Sequence, residues 1–376
     1  MKIVHIITGL GDGGAEHALY KICKYDLKNK HVVISLTGPG KYFSLLKKLK
    51  IEVHLLYFNF FSIHKFFYLS NLLSCLKPDI IQTWLVHADF VGSISARLAG
   101  IRNIIWNIRY SNLETGSAKF TTIIIIKILA KISKFLPKSI ITVSKKAKKI
   151  YEIKGYNSEK LKFIPNGYDL KILRPNKLQK INFKKKYKIK KNIPIIGNVG
   201  RYDPQKDHLN LLKALSLIRS KNINFFCVLV GPNIEKKNIS LFSAIKKLKL
   251  SKNVKLLGQN KNISKVMNGL DVYVQSSSYG EGFPNVVAEA MACGTPCVAT
   301  NVGDTSYIVG KTGWVVVPKN PIKLAKAIEK ALAENKTRKW IKRCNKARLR
   351  VKKNFDIFKM IKNYDQLWNN VLKKNK

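Results

Sequence analysis

Two carboxylates and two cations are the residues of this sequence best suited, by type and spacing, to chemistry. Glu281 and Glu289 fall within Ser276 to Thr300, SSSYGEGFPNVVAEAMACGTPCVAT, and Arg201 and Lys206 fall within GRYDPQKD. The glutamates are too far apart to share a proton, so an acid/base dyad is not expected. Each can instead accept hydrogen bonds from a vicinal diol, one on each side of a bound phosphate. Two cations leaving a strand-to-helix turn suit a diphosphate, against the alternative of two solvated surface charges. Acids are scarce, 21 against 70 lysines and arginines, and this pair sits in an apolar, glycine-punctuated setting.

The flanking sequence predicts the elements that hold them. Ile193 to Val199 reads as a strand delivering Arg201, with a helix beginning near His208; Asp271 to Gln275 reads as a strand delivering the second stretch. There, Pro284 suits the first turn of a short helix, Ala288, Ala290, Met291 and Ala292 its interior, and Gly294 its stop. Backbone N–H groups near Phe283 to Asn285 would then face a phosphate, making Gly282, Phe283, Pro284, Asn285 and Val286 candidate substrate-binding residues. Nearer the start, Lys2 to Thr8 reads as a strand, followed by GLGDGGAE, which contains G-x-G-x-x-G. A dinucleotide site also needs an acid after the second strand, and His31 to Leu36 is followed by Thr37-Gly38-Pro39, without one. The loop remains suited to approaching a diphosphate or an acceptor, with Gly13 and Gly14 as its candidates. Further strands are expected at 51–56, 79–83, 103–107, 139–143 and 161–164, alternating with helices, as in a doubly wound parallel sheet. His87, alone after Trp84, reads as structural.

The chain's 376 residues accommodate two domains of ordinary size. Its apolar runs are too short to cross a bilayer and its N-terminus reads as a first strand rather than a signal peptide, so a cytoplasmic location is expected. The six cysteines form no CxxC pair and have no histidine cluster nearby in sequence, which favours reduced, buried thiols over metal or disulfides. A formal charge of +49 favours an anionic partner, against a general surplus of solvated lysines. No recognised nucleic-acid-binding module accompanies it, and no nucleic acid is expected.

The stretch Glu281-Gly282-Phe283 through Glu289-Ala290-Met291-Ala292-Cys293-Gly294-Thr295-Pro296 resembles the donor-site signature of retaining GT-B glycosyltransferases of the family-4 type. Arg201 and Lys206 are similarly spaced to that family's G-R-x-x-x-x-K motif, GGAE at 13–16 resembles its first-domain loop, and IPNGYD at 164–169 its domain-closing turn. The resemblance covers essentially the whole chain. It implies two Rossmann-like doubly wound domains facing a central cleft: an acceptor-side domain over 1–175, a nucleotide-sugar domain over 176–354 and a helix over 355–376 returning to the first. The lysine-rich segment 171–191 would be the linker, its last part already entering the second domain.

The resemblance further implies transfer from a nucleotide diphosphate sugar, expected to be a UDP-sugar, to a hydroxyl with retention at the anomeric carbon. Glu281 would hold the transferred sugar, Glu289 the ribose, and Arg201 and Lys206 the leaving diphosphate. Where many relatives carry a histidine near the reacting carbon, this chain has Arg109 in IIWNIRYSN, 104–112. Arginine cannot act as a base at neutral pH but can stabilise a leaving diphosphate; the alternative is a structural ion pair. No D-x-D occurs in the sequence, so no required metal ion is expected; no cofactor is expected beside the donor substrate. A sugar-nucleotide epimerase of similar shape is the alternative enzyme, and would need no acceptor. Bacterial surface polysaccharide or lipopolysaccharide assembly on a lipid-linked acceptor is the expected setting. Residues 119–138 read as one basic amphipathic helix with Lys127, Lys131, Lys134 and Lys138 on a stripe, and with the aromatic run 57–68 this suggests peripheral contact with an anionic membrane.

Overall fold

Short apolar runs rich in Ile and Val alternate with amphipathic helices, and this alternation builds two parallel-sheet units. The computed structural model describes residues 1–58, 63–109, 120–260 and 262–373. One unit comprises Met1–Gly167 and Ile357–Lys376, the other Tyr168–Asp356.

The first unit carries β1 (Lys2–Ile7), β2 (Lys30–Ser35), β3 (Glu52–Leu55), β4 (Ile80–Trp84), β5 (Ile104–Ile108), β6 (Ser139–Thr142) and β7 (Leu161–Phe163), in the order β3-β2-β1-β4-β5-β6-β7. The pairings are parallel. Both faces are covered, so strands such as KIVHII are almost continuously buried instead of alternating. On one face Val4, Ile6, Ile81, Ile104 and Trp106 pack with the helix Val86–Leu98; on the other, Ile3, Ile7, Trp84 and Ile105 pack with the helix Ile357–Lys373. That last helix buries Ile357, Met360, Tyr364, Trp368 and Val371, spaced three or four apart as one helical stripe requires. Trp368 Nε1 also donates to Gln82 Oε1 at 2.8 Å, so the buried indole is satisfied.

The second unit carries β8 (Ile195–Val199), β9 (Phe226–Val230), β10 (Val254–Leu256), β11 (Val272–Gln275), β12 (Cys297–Thr300) and β13 (Trp314–Val316), ordered β10-β9-β8-β11-β12-β13. Leu211, Leu215, Val228 and Ile328 are among its fully buried side chains.

Two expectations need correction. The lysine-rich segment 171–191 lies wholly in the second unit, not only in its last part, and contains the helix Lys177–Lys186. Phe183 is buried so closely against Gly269 that a Cβ there would meet its ring at 2.4 Å, and Lys180 Nζ pairs with Asp271 at 2.6 Å. Residues 119–138 do not form one helix either. The described helix is Phe120–Ile132; Ser133 Oγ then bonds Ala130 O at 2.6 Å, and Pro137 precedes β6. Lys134 and Lys138 therefore leave the helical stripe, while Lys119, Tyr110 to Asn112 and 59–62 of the aromatic run lie outside the described residues.

Candidate active site

In an open parallel sheet, loops leaving the carboxyl ends of two neighbouring strands diverge where the strand order reverses, and a ligand site forms there. In the second unit that point lies between β8 and β11. The loop after β8 carries Arg201 and a 3-10 turn, Pro204–Lys206, capped by Asp203 Oδ1 accepting from Gln205 N at 2.9 Å. Asp207 then takes a left-handed conformation (φ 47°) and caps the helix His208–Ser220. The loop after β11 is clamped to this turn: Ser276 Oγ donates to Lys206 O at 2.8 Å, and Ser278 N to Gln205 O at 2.9 Å.

This clamp brings together residues 75 positions apart in sequence. Lys206 Nζ lies 2.5 Å from Glu281 Oε1, and Ser277 Oγ donates to the same oxygen at 2.7 Å. The pair is largely sheltered, with Lys206 19% and Glu281 9% exposed, so its charge attraction is poorly screened. Both donors converge on Oε1, and among the described residues Glu281 Oε2 takes no hydrogen bond. Arg201 is more open, at 57%, and its Nε lies 2.9 Å from Asp203 Oδ2. Burial alone would raise the Asp203 carboxyl, but hydrogen bonds from Arg201 and the Gln205 N–H outweigh it and hold it below its usual range.

The loop after Glu281 is shaped by backbone fit. Gly303 has φ 59°, and a Cβ there would meet Glu281 O at 2.1 Å, while Asp304 N donates to Gly282 O at 2.9 Å. Pro284 is the cap, not a first-turn residue; the helix is Asn285–Ala292, followed by Gly294 at φ 77°. Phe283 is buried edge-on against Phe355 at 5.4 Å, so only its backbone can serve a ligand. Asn285 Oδ1 accepts from Tyr168 OH at 2.7 Å. Val286 and Glu289 are half-buried, Glu289 in the helix's second turn.

In the first unit the strand order reverses between β1 and β4. Gly13 caps and Gly14 opens the helix Gly14–Tyr25 after β1, with the Glu16 carboxylate folded back against Gly13. After β4, Leu85 adopts φ 73°, strained for a branched side chain, and His87 sits half-buried in the next helical turn. Arg109, just beyond β5, is held by neutral oxygens: Nε donates to Asn107 Oδ1 at 3.1 Å, one terminal nitrogen to Asn166 Oδ1 at 2.6 Å and the other to Tyr364 OH at 3.1 Å. Its guanidinium also lies 5.1 Å from the Trp84 ring centre. No carboxylate pairs with it among the described residues, so the structural ion pair is not what holds it. Asn166 belongs to the IPNGYD turn, which gives that turn a positioning role.

Sequence spacing missed Ser277, a hydroxyl with no signature, and Asn107 and Tyr364, whose convergence needs the fold. It also missed a buried group of His5, Cys23 and His31, whose ligand-capable atoms lie within 4.8 Å of one another. Its hydrogen bonds do not suit a metal ion. Trp84 Nε1 donates to His5 Nδ1 at 3.2 Å, which places the His5 proton on Nε2, facing His31 Nδ1 at 3.0 Å. His31 Nε2 in turn faces Asp26 Oδ2 at 3.1 Å. An ion on His5 Nε2 would move that proton onto Nδ1, against the indole N–H. Burial also pushes the Cys23 thiol far up, away from the thiolate a metal needs.

Comparison with known proteins agrees with this architecture. The model for "Glycosyl transferases group 1" matches residues 179–366, and that for "Glycosyltransferase Family 4" matches residues 12–172. The chain is 29% identical over 245 residues to the Escherichia coli UDP-Gal:alpha-D-GlcNAc-diphosphoundecaprenol alpha-1,3-galactosyltransferase, covering 64% of this chain and 62% of that protein, under two thirds of its length. It is 27% identical to the Staphylococcus aureus capsular polysaccharide biosynthesis glycosyltransferase CapM, over 80% of this chain and 78% of that one. In fold it is similar to Anabaena HepE, solved in complex with UDP, with a TM-score of 0.86, 21% identity and coverage of 98% of this chain and 100% of that one. Two doubly wound parallel sheets with this strand order are the GT-B architecture, and the chain belongs to the glycosyl transferases group 1 family.

Proposed function

We propose that this protein transfers a sugar from a nucleotide diphosphate sugar, a UDP-sugar, to a hydroxyl of a lipid-linked saccharide, with retention at the anomeric carbon, in bacterial surface polysaccharide or lipopolysaccharide assembly. The observation that carries the reading is the convergence of Lys206, Ser277 and Glu281 at the strand-order reversal of the second unit. As the bond from the anomeric carbon to the diphosphate breaks, negative charge grows on the departing oxygen. Lys206, Arg201 and the N–H groups at the start of the helix Asn285–Ala292 stabilise that charge. The acceptor oxygen bonds the anomeric carbon and its proton leaves with the diphosphate. Glu281 Oε2 holds sugar hydroxyls, Glu289 the ribose, and Arg109 adds a fixed positive charge. Gly13 and Gly14 present the acceptor-side loop.

Two features support a membrane-associated acceptor. The name of the E. coli relative specifies a diphosphoundecaprenol substrate. On the helix Phe120–Ile132, Phe120, Ile124 and Ile128 are exposed beside the exposed Lys127 and Lys131, while Ile126 and Leu129 face the core. No helix among the described residues is long and apolar enough to cross a membrane, so contact would be peripheral, at the inner face.

The test is transfer from a panel of UDP-sugars to a synthetic lipid-diphosphate-linked sugar, with and without EDTA. One donor should raise the melting temperature and yield product with retained configuration. Activity should survive EDTA, because side chains meet the diphosphate charge. Donor turnover without an acceptor, giving an altered sugar nucleotide, would replace this reading with an epimerase.

A further inference from the structure

The first unit has a second basic site, at the end of its sheet opposite the loops described above. Arg102 precedes β5, Lys138 precedes β6, and Lys160 and Lys162 flank Leu161 at the start of β7, so neighbouring strands present these cations at their amino ends. Arg97 adds another from the helix Val86–Leu98, and Lys134 another from the turn after the helix Phe120–Ile132. Together they line a cavity of about 950 Å³.

The cavity is built, not merely surrounded by surface lysines. Arg97 donates to Phe135 O at 3.0 Å and to Leu136 O at 3.3 Å, and its Nε is enclosed without a partner. Lys160 Nζ bonds Ser133 O at 3.2 Å and also Lys134 O. Two cations are thus anchored on carbonyls. Lys373 also lines the cavity; among the described residues Glu159 is its one carboxylate, and none of the seven cations forms an ion pair. Burial, then the charges of Lys138 and Arg97, lower the Lys160 ammonium from its ordinary range. Like charges held together in a concavity focus a positive field, and a compact polyanion relieves their repulsion.

We propose that this cavity is a binding site for a phosphate-rich polyanion, separate from the site of sugar transfer. The shared chemistry is several phosphate oxygens on a compact scaffold, supplied by a free oligophosphate or an anionic lipid headgroup. Arg97 and Arg102 suit paired phosphate oxygens, and the lysines act as point charges around them.

The probe is inorganic triphosphate, titrated calorimetrically at fixed low salt into the full chain carrying Arg201→Ala and Lys206→Ala, so that the second unit's diphosphate cations do not contribute. One equivalent should bind. Adding Arg102→Gln, Lys138→Gln and Lys162→Gln, whose side chains make no hydrogen bond among the described residues, should weaken binding at least tenfold. A control triple in the second unit, Lys246→Gln, Lys247→Gln and Lys252→Gln, should weaken it less than threefold. Absent binding, a loss under tenfold in the cavity variant, or a control loss of threefold or more would overturn the proposal. Circular dichroism and melting verify that each variant is folded. Flotation with phosphatidylglycerol vesicles identifies the source: capture lost in the cavity variant and blocked by triphosphate marks a lipid headgroup, and capture equal to wild type marks a free anion.

Discussion

Both units offer cations beyond the carboxyl ends of their strands and hold them differently. After β8, Arg201 and Lys206 each have a carboxylate within 3 Å, whereas Arg109 after β5 is held by two amide oxygens and a phenol. A cation paired with a carboxylate must exchange partner when a phosphate arrives, so its local charge before binding is small. A cation held by neutral oxygens keeps its full charge and stays put. The second unit therefore holds cations that can exchange a carboxylate for a phosphate, and the first holds one that stays in place.

Breaking the exchanging pair should have the largest effect. Lys206→Ala is expected to lower transfer by two to three orders of magnitude, about 3–4 kcal/mol of lost charge stabilisation. It also strands Glu281, sheltered and without its cation, so the melting temperature should fall; adding Glu281→Gln should restore stability but not turnover. Near-normal turnover in Lys206→Ala would remove this residue from the mechanism.

Arg109→Lys comes next. A lysine keeps the charge but cannot engage three acceptors in a planar fork, so turnover should fall about tenfold while binding of free nucleoside diphosphate is unchanged. A matching loss of diphosphate affinity would mean that Arg109 does not supply a separate, fixed charge. A smaller contrast lies within the second unit. Glu281→Gln should depress turnover and sugar discrimination, and Glu289→Gln should mainly weaken the free diphosphate; equal affinity losses in both variants would contradict that division.

These contrasts were partly legible in the sequence. Strand ends were placed to within a residue or two because buried parallel strands are apolar runs bounded by turn residues, as at Ile80–Trp84 and Ile104–Ile108. Lys206 and Glu281 were legible as types at a motif spacing, but their meeting depends on β8 and β11 being neighbours. Residues 119–138 were overread because lysines three or four apart fit a helix; Pro137, which cannot continue one, was the local sign against it. His5, Cys23 and His31 lie on β1, the following helix and β2, and parallel register sets Ile3 beside His31, so His5 falls diagonally on the same face.

That buried histidine group gives the smallest effect, and a counterpart in the same unit opposes it. His5 is driven well below its usual value by burial and by His31, against Asp26, so it stays neutral in the folded chain. Unfolded, it binds a proton near pH 6.5, so its contribution to stability is present above that pH and is lost as pH falls. Asp89 behaves oppositely. Burial raises its carboxyl to about 8, against a bond from Thr83 Oγ1 at 2.5 Å, so it is protonated in the folded chain and ionised in the unfolded one. Its contribution is present below about pH 4 and is lost as pH rises toward 8. Near pH 5 the two slopes have opposite signs and each approaches one proton, about 1.4 kcal/mol per pH unit, and the His5 slope has halved by pH 6.5. His17 and His208, lowered mainly by burial to about 3 and about 4, add slopes of the same sign as His5, so wild-type stability should rise with pH there. Asp89→Asn should make that rise steeper, and His5→Gln should make it shallower. Urea denaturation from pH 5 to 7.5 measures both slopes; identical slopes in the two variants would show that these buried groups do not titrate as an opposed pair.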